Sequence, residues 1–141
     1  MIRKYRTADT DALVAIWKSA SALAHSFLDD AFVAREAEAL RTQHLPNAET
    51  WVLEDDGVIV GFIALVGDEI GGLFLDPAAH GKGLGKAMVD HVVELKGPLH
   101  VEVFEKNEIG RRFYSRYGFI EIDRYRHEAS GETTLRLKLP D

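Results

Sequence analysis

The segment from Leu73 to Lys86 runs Leu-Phe-Leu-Asp-Pro-Ala-Ala-His-Gly-Lys-Gly-Leu-Gly-Lys, a strand pattern that passes through a short loop into the start of a helix. Its chemistry is anion binding. Glycines lack a Cβ and let the backbone approach a phosphate, successive N–H groups form a nest, and a helix N-terminus adds positive partial charge. Lys82 and Lys86 either add direct charge or stand as solvated surface residues, the more frequent state of a lysine. Two other phosphate motifs fit less well. The dinucleotide fingerprint G-x-G-x-x-G matches Gly81 and Gly83 but requires glycine where Lys86 stands, and the stretch after Glu105 is too short to complete a doubly wound domain. The P-loop pattern fails because no glycine followed by lysine and a hydroxyl residue has the required spacing.

The elements that must position this turn follow from apolar periodicity. Ile2 to Arg6 is a short strand, and Thr7 or Asp9 caps a helix with Leu13, Ile16, Trp17, Ala20 and Leu23 on one face. A second helix turns Phe32, Val33, Ala37 and Leu40 toward the core, and Leu45-Pro46-Asn47 is expected to stop it. Trp51 to Glu54 and Val58 to Val66 form a hairpin across Asp55-Asp56-Gly57, since Asp-Gly tolerates the positive φ of a tight turn. The strand Glu69 to Leu75 contains Gly71-Gly72, residues that mark a bulge or a close backbone approach. Leu84, Ala87, Met88, His91, Val92 and Leu95 form a helical stripe closed by Gly97-Pro98, and Leu99 to Phe104 is the next strand. Asn107 caps a short helix through Tyr117, on which Ile109, Phe113 and Tyr117 share an apolar face. Gly118 fits the left-handed position after it, and Phe119 to His127 with Thr133 to Leu139 close a hairpin around Ser130-Gly131. This order predicts a mixed sheet with helices on its faces.

Composition bounds the rest. The chain has 141 residues, 46% of them hydrophobic and 28% charged, with 12 glycines and 4 prolines, which predicts one globular domain over residues 1–141 without long structureless tails. With no cysteine there is no thiolate nucleophile, disulfide or thiolate metal site. The six histidines show no ligand spacing, so no metal is expected. A net charge of −6 repels nucleic acid and anionic lipid, and neither is expected as a partner. No apolar run suits a signal peptide or a membrane span, which predicts a cytoplasmic protein. Exposed strand edges allow a homodimer, although no segment specifies one.

His80-Gly81-Lys82-Gly83-Leu84-Gly85 resembles motif A of the GNAT superfamily of N-acetyltransferases, R/Q-x-x-G-x-G/A, with His80 at its first position. Downstream, Asn107, Gly110, Tyr114 and Gly118-Phe119 resemble the family's N-x-x-(A/G)-x-x-x-Y-x-x-x-G-F signature, and the element order extends the likeness over essentially the whole chain. The resemblance implies an α+β fold: a mainly antiparallel, twisted sheet of about seven strands, flanked by about four helices and splayed into a cofactor cleft. It implies acetyl-CoA between the strand before the turn and the strand after the helix. Leu73, Phe74, Leu75, His80, Gly81, Lys82, Gly83, Leu84, Gly85, Lys86, Asn107 and Phe113 would lie along it. In the family's pattern, strand amides near a bulge at Leu73 to Leu75 stabilise the oxyanion, and Tyr114 matches the general acid.

The base is open between two residues. Glu102 matches an acidic base of some members that modify protein N-termini, and alternation puts it on one strand face with His100 and Phe104. His25 lies in the loop that forms the acceptor side of this fold, with an ordinary pKa of about 6.5. A loop histidine is more often surface decoration, and His91 is more simply a core-edge residue. The implied function is transfer of acetyl from acetyl-CoA to a primary amine of a small molecule, peptide or protein. His25, Phe27 and Tyr125 lie on the acceptor side, but no motif identifies the amine. A non-catalytic coenzyme A sensor and a nucleotide-binding module are the competing readings.

Overall fold

A computed structural model describes residues 1–141. Seven strands form one sheet: β1 (Ile2–Lys4), β2 (Glu49–Asp55), β3 (Val58–Val66), β4 (Glu69–Leu75), β5 (His100–Phe104), β6 (Ile120–Arg126) and β7 (Thr133–Lys138), in the order β1-β2-β3-β4-β5-β7-β6. Every neighbouring pair is antiparallel except β4 and β5. The four principal helices are α1 (Thr10–Ala24), α2 (Asp30–Ala39), α3 (Leu84–Lys96) and α4 (Glu108–Tyr117). This is the fold that the resemblance implies. None of its helices is long and apolar enough to cross a membrane.

Two apolar layers sandwich the sheet. Because side chains alternate along a strand, Val52 and Phe62 pack with Leu13, Val14, Ile16 and Trp17 of α1, while Leu53, Ile63 and Leu65 face Met88, Val89 and Val92 of α3. The run Phe62-Ile63-Ala64-Leu65 is apolar throughout because β3 is covered on both sides. Val101 and Val103 of β5 join the α3 layer and leave His100, Glu102 and Phe104 on the opposite face, as alternation predicts.

The β2–β3 turn has φ of 53° at Asp56 and 77° at Gly57, the paired positive angles of a type I′ hairpin. The sheet also has a bulge that decides its use. Ala64 pairs with Gly72 and Leu65 with Ile70, leaving Gly71 as the extra residue of β4. Gly71-Gly72 thus marks the bulge, which lies ahead of Leu73 to Leu75 rather than within them.

Four sequence expectations change. The helical path ends at Leu45-Pro46-Asn47 as expected, but the second helix does not run unbroken to it. A π-turn over Leu40–His44 leads into a final helical turn, Leu45–Asn47, with Pro46 in the first-turn position where a missing N–H is tolerated. Asp9 does not cap α1; its carboxylate turns back to accept the Arg6 amide at 2.8 Å and a two-point contact from Arg3 at 2.9 and 3.0 Å. Leu23 and Leu95, assigned to apolar stripes, are exposed, each in the last turn of its helix and outside both apolar layers. Ile109 is exposed as well, because its face of α4 borders an opening rather than a layer.

Candidate active site

The opening begins where two parallel strands part. β4 and β5 pair only at Glu69 with His100 and Ile70 with Val101. Beyond Ile70 the free edge of β4 runs past the bulge to Leu75. The Asp76 N–H donates to Val60 of β3 at 2.8 Å, so by alternation the amides of Phe74 and Gly72 also point to β3, and those of Leu73 and Leu75 point into the gap. Phe74 directs its ring to the other face, edge-on to Trp17 with centroids 6.4 Å apart. It contributes no side chain to the gap.

Below β4 the gap widens into a cleft of about 900 Å³ lined by Leu73, Leu75, the His80–Lys86 turn and α4. The turn is built for an anion. Gly81 and Gly83 have φ of 80° and 75°, and the amides of Gly81, Lys82 and Gly83 donate to no protein acceptor. The first-turn amides of α3, from Leu84 to Lys86, have no acceptor within their helix. A Cβ built on Gly81 or Gly83 meets nothing within 4 Å, whereas one on Gly85 would stand 3.1 Å from the Phe113 ring. A backbone concavity with consecutive free donors suits a diphosphate, and the residues present therefore fit coenzyme A. The His80 side chain is exposed at the rim, and Lys82, exposed as well, is not part of the cleft lining.

The opposite wall is α4. Asn107 accepts the Gly110 amide at its Oδ1 (2.9 Å), a side-chain cap that starts the helix and holds the buried asparagine at the cleft. Tyr114 lines the same cleft and is 6% exposed. Its ring is held edge-on between Phe113 and Phe119, at 5.2 and 5.3 Å. Burial alone raises its phenol above the usual tyrosine range, and no charged or hydrogen-bonding side chain contributes.

Several lining residues escaped the sequence reading: Asp90, Ile109, Arg112, Arg116 and Tyr117. Asp90 of α3 accepts the Tyr117 hydroxyl at 2.5 Å and the Lys86 ammonium at 2.8 Å, tying the two helices together across the cleft. Lys86, then Tyr117, holds the Asp90 carboxyl below its ordinary range. The i, i+3, i+4, i+7 spacing of Ile109, Arg112, Phe113 and Arg116 was the available signal, since it places all four on one side of α4.

The two candidate bases lie away from the α3 layer. Glu102 is paired across the sheet with Arg136, whose guanidinium lies 4.0 Å from its carboxylate, and burial together with Glu102 raises the Tyr125 phenol. His25, from the loop between α1 and α2, is brought to Asn107 with Nε2 and Nδ2 3.2 Å apart. Its ring also meets Phe104 at 5.3 Å and Phe27 at 5.9 Å. Among the sequence candidates, Tyr114, Asn107, Phe113 and the glycine turn share one cleft. His25 reaches it through Asn107, whereas Glu102 is not part of the lining.

Residues 46–121, more than half the chain, match the family model described as an acetyltransferase (GNAT) domain. The chain belongs to the GNAT family of acetyltransferases. This GNAT chain is 38% identical over 119 residues to the peptidyl-lysine N-acetyltransferase YjaB of Salmonella typhimurium, covering 84% of this chain and 81% of that protein. It is 30% identical over 124 residues to the peptidyl-lysine N-acetyltransferase YiaC of Escherichia coli, covering 87% and 85% respectively. The solution structure of apo-form YjaB from Escherichia coli superposes with a TM-score of 0.89 at 30% identity, covering 99% and 96% of the two chains. The PaiA N-acetyltransferase of Thermoplasma acidophilum, solved in complex with coenzyme A, shares the fold at 16% identity and a TM-score of 0.79, with 96% of each chain covered.

Proposed function

We propose that this GNAT enzyme transfers the acetyl group of acetyl-CoA to the side-chain amine of a lysine in a peptide or protein, by direct attack and with Tyr114 as general acid. One observation carries the reading: free amides at Gly81 and Gly83 and the buried, unpaired phenol of Tyr114 open on one cleft. The naming of two relatives at 38% and 30% identity as peptidyl-lysine N-acetyltransferases supports the acceptor class.

Each group then has a task. The glycine turn binds the diphosphate through backbone donors, and Phe113 packs beneath it against Gly85 and Leu75. Bound acetyl-CoA supplies a thioester carbonyl as the electrophile. The amides of Leu73 and Leu75, directed into the gap, donate to the carbonyl oxygen as negative charge builds there. Tyr114 keeps its proton because burial raises its pKa, and it gives that proton to the departing sulfur. A lysine amine of pKa about 10.4 must shed a proton at about 4.6 kcal/mol near neutral pH. Glu102, outside the cleft lining on the Phe104 face of β5, is its assigned final acceptor, reached through solvent.

Incubation with acetyl-CoA and lysine-containing peptides, read by mass spectrometry, tests the reading. Acetyl-lysine is the expected product, and Tyr114→Phe lowers kcat about a hundredfold while the Kd for coenzyme A stays within about twofold. Unchanged kcat in Tyr114→Phe across pH removes the residue from the chemistry. Coenzyme binding without product over a broad set of peptides and amines identifies a sensor instead.

A further inference from the structure

His25 and Asn107 are 82 residues apart in sequence and joined by one hydrogen bond. The other end of Asn107 decides its direction. Asn107 Oδ1 accepts the Gly110 amide at 2.9 Å, so the amide's nitrogen faces the imidazole, and an amide nitrogen only donates. Nε2 of His25 is therefore the acceptor, and the neutral ring carries its proton on Nδ1. The one lone pair of the neutral ring is therefore engaged. The ring is wedged edge-on against Phe27 and Phe104, and burial draws its pKa down to about 4 with no charged neighbour contributing. A ring with its lone pair engaged has nothing left with which to take a proton from an incoming amine.

What the bond does instead follows from what it connects. Asn107 is the cap of α4, the helix that carries Phe113 and Tyr114. His25 belongs to the loop between α1 and α2, and its neighbour Phe27 stacks edge-on against Phe104 at 5.5 Å. We propose that His25 is a positioning residue: by accepting from Asn107 it fixes the Phe27–Phe104 wall of the acceptor side at a set distance from the helix bearing Tyr114, and it does not act as the general base. The proposal rests on the acetyl-transfer reading above for its kinetic consequence, but not for the state of the ring.

Two measurements test it separately. Long-range proton–nitrogen correlation spectra of the wild-type protein need neither coenzyme nor acceptor; the expected pattern is an imidazole protonated on Nδ1, bare at Nε2, that does not titrate between about pH 5 and 8. In peptide acetylation, His25→Ala raises the acceptor KM about tenfold, moves the acetyl-CoA KM less than about twofold and leaves the pH profile unchanged in shape. His25→Gln, whose side-chain oxygen still accepts from Asn107, recovers to within about threefold of wild type. A ring protonated on Nε2 or titrating near neutrality overturns the proposal. So does loss of the acid limb of the pH profile in both variants, or an acceptor KM unchanged in His25→Ala. If no peptide is acetylated, the acetyl-transfer reading fails while the spectra still decide the state of His25.

Discussion

A Cβ on Gly85 would stand 3.1 Å from the Phe113 ring and 3.6 Å from Leu75, so the first turn of α3 lies against the aromatic floor of the cleft with no room for a side chain. Gly85→Ala must displace that ring, which lines the cleft, by a few tenths of an ångström. The expected outcome is coenzyme A binding weakened about fivefold, with thermal stability lowered by about 1 kcal/mol or less. Gly83→Ala differs, because its Cβ meets nothing but its φ of 75° strains an L-residue. It should cost about 1 kcal/mol of stability whatever its effect on binding. Calorimetric titration and denaturant unfolding of the two variants separate these effects.

The cap of α4 can be broken from either side. Asn107→Ala removes the acceptor of the Gly110 amide, and Gly110→Ala introduces a Cβ 2.6 Å from Asn107 Nδ2, closer than real contacts allow. Each should destabilise the protein by about 1–2 kcal/mol in urea unfolding. Both should loosen His25 as well, since the same asparagine holds it. Unchanged His25 spectra in Asn107→Ala would show that the loop is held by its aromatic contacts alone.

Arg3 fastens β1 to the turn before α1, with contacts to Asp9 at 2.9 Å and Glu54 at 3.2 Å. The Arg3 hydrogen bonds, helped by the Arg6 amide, hold the Asp9 carboxyl below its usual range despite burial. A depressed folded-state pKa contributes stability above the unfolded value of about 3.9, and that contribution is lost as pH falls through the folded value. Asp9→Asn should therefore be about 2 kcal/mol less stable than wild type at pH 7, with the gap closing below about pH 4. Unfolding midpoints at neutral and acid pH measure it. A gap that widens on acidification would refute the assignment.

What could be read from sequence follows the range of the forces involved. The glycine turn was legible because Gly81 and Gly83 adopt positive φ, a local property, and Gly85 keeps the space beside Phe113. Asn107 and Tyr114 were legible because a cap and a helix phase are set within one element. The parting of β4 from β5 was expected only through the resemblance, and its place after Ile70 was not legible, since it depends on strands joined through a helix. Nor was the His25–Asn107 contact, which no local pattern encodes. Phe74 was misjudged as a cleft residue for want of one fact, the face to which its strand assigned it. The break ahead of Pro46 was hidden because the π-turn there shifts the backbone register.

In the proposed reaction the free amides of the His80–Lys86 turn, together with the exposed edge of β4, receive the acetyl donor. Amide-resolved NMR titration of the protein with acetyl-CoA measures this directly. The largest shifts are expected at Gly81, Lys82, Gly83 and the first turn of α3, with a second set at Leu73 and Leu75 that is weaker when coenzyme A lacking the acetyl group is used. Saturable shifts confined to any other surface, with these amides unmoved, would contradict it.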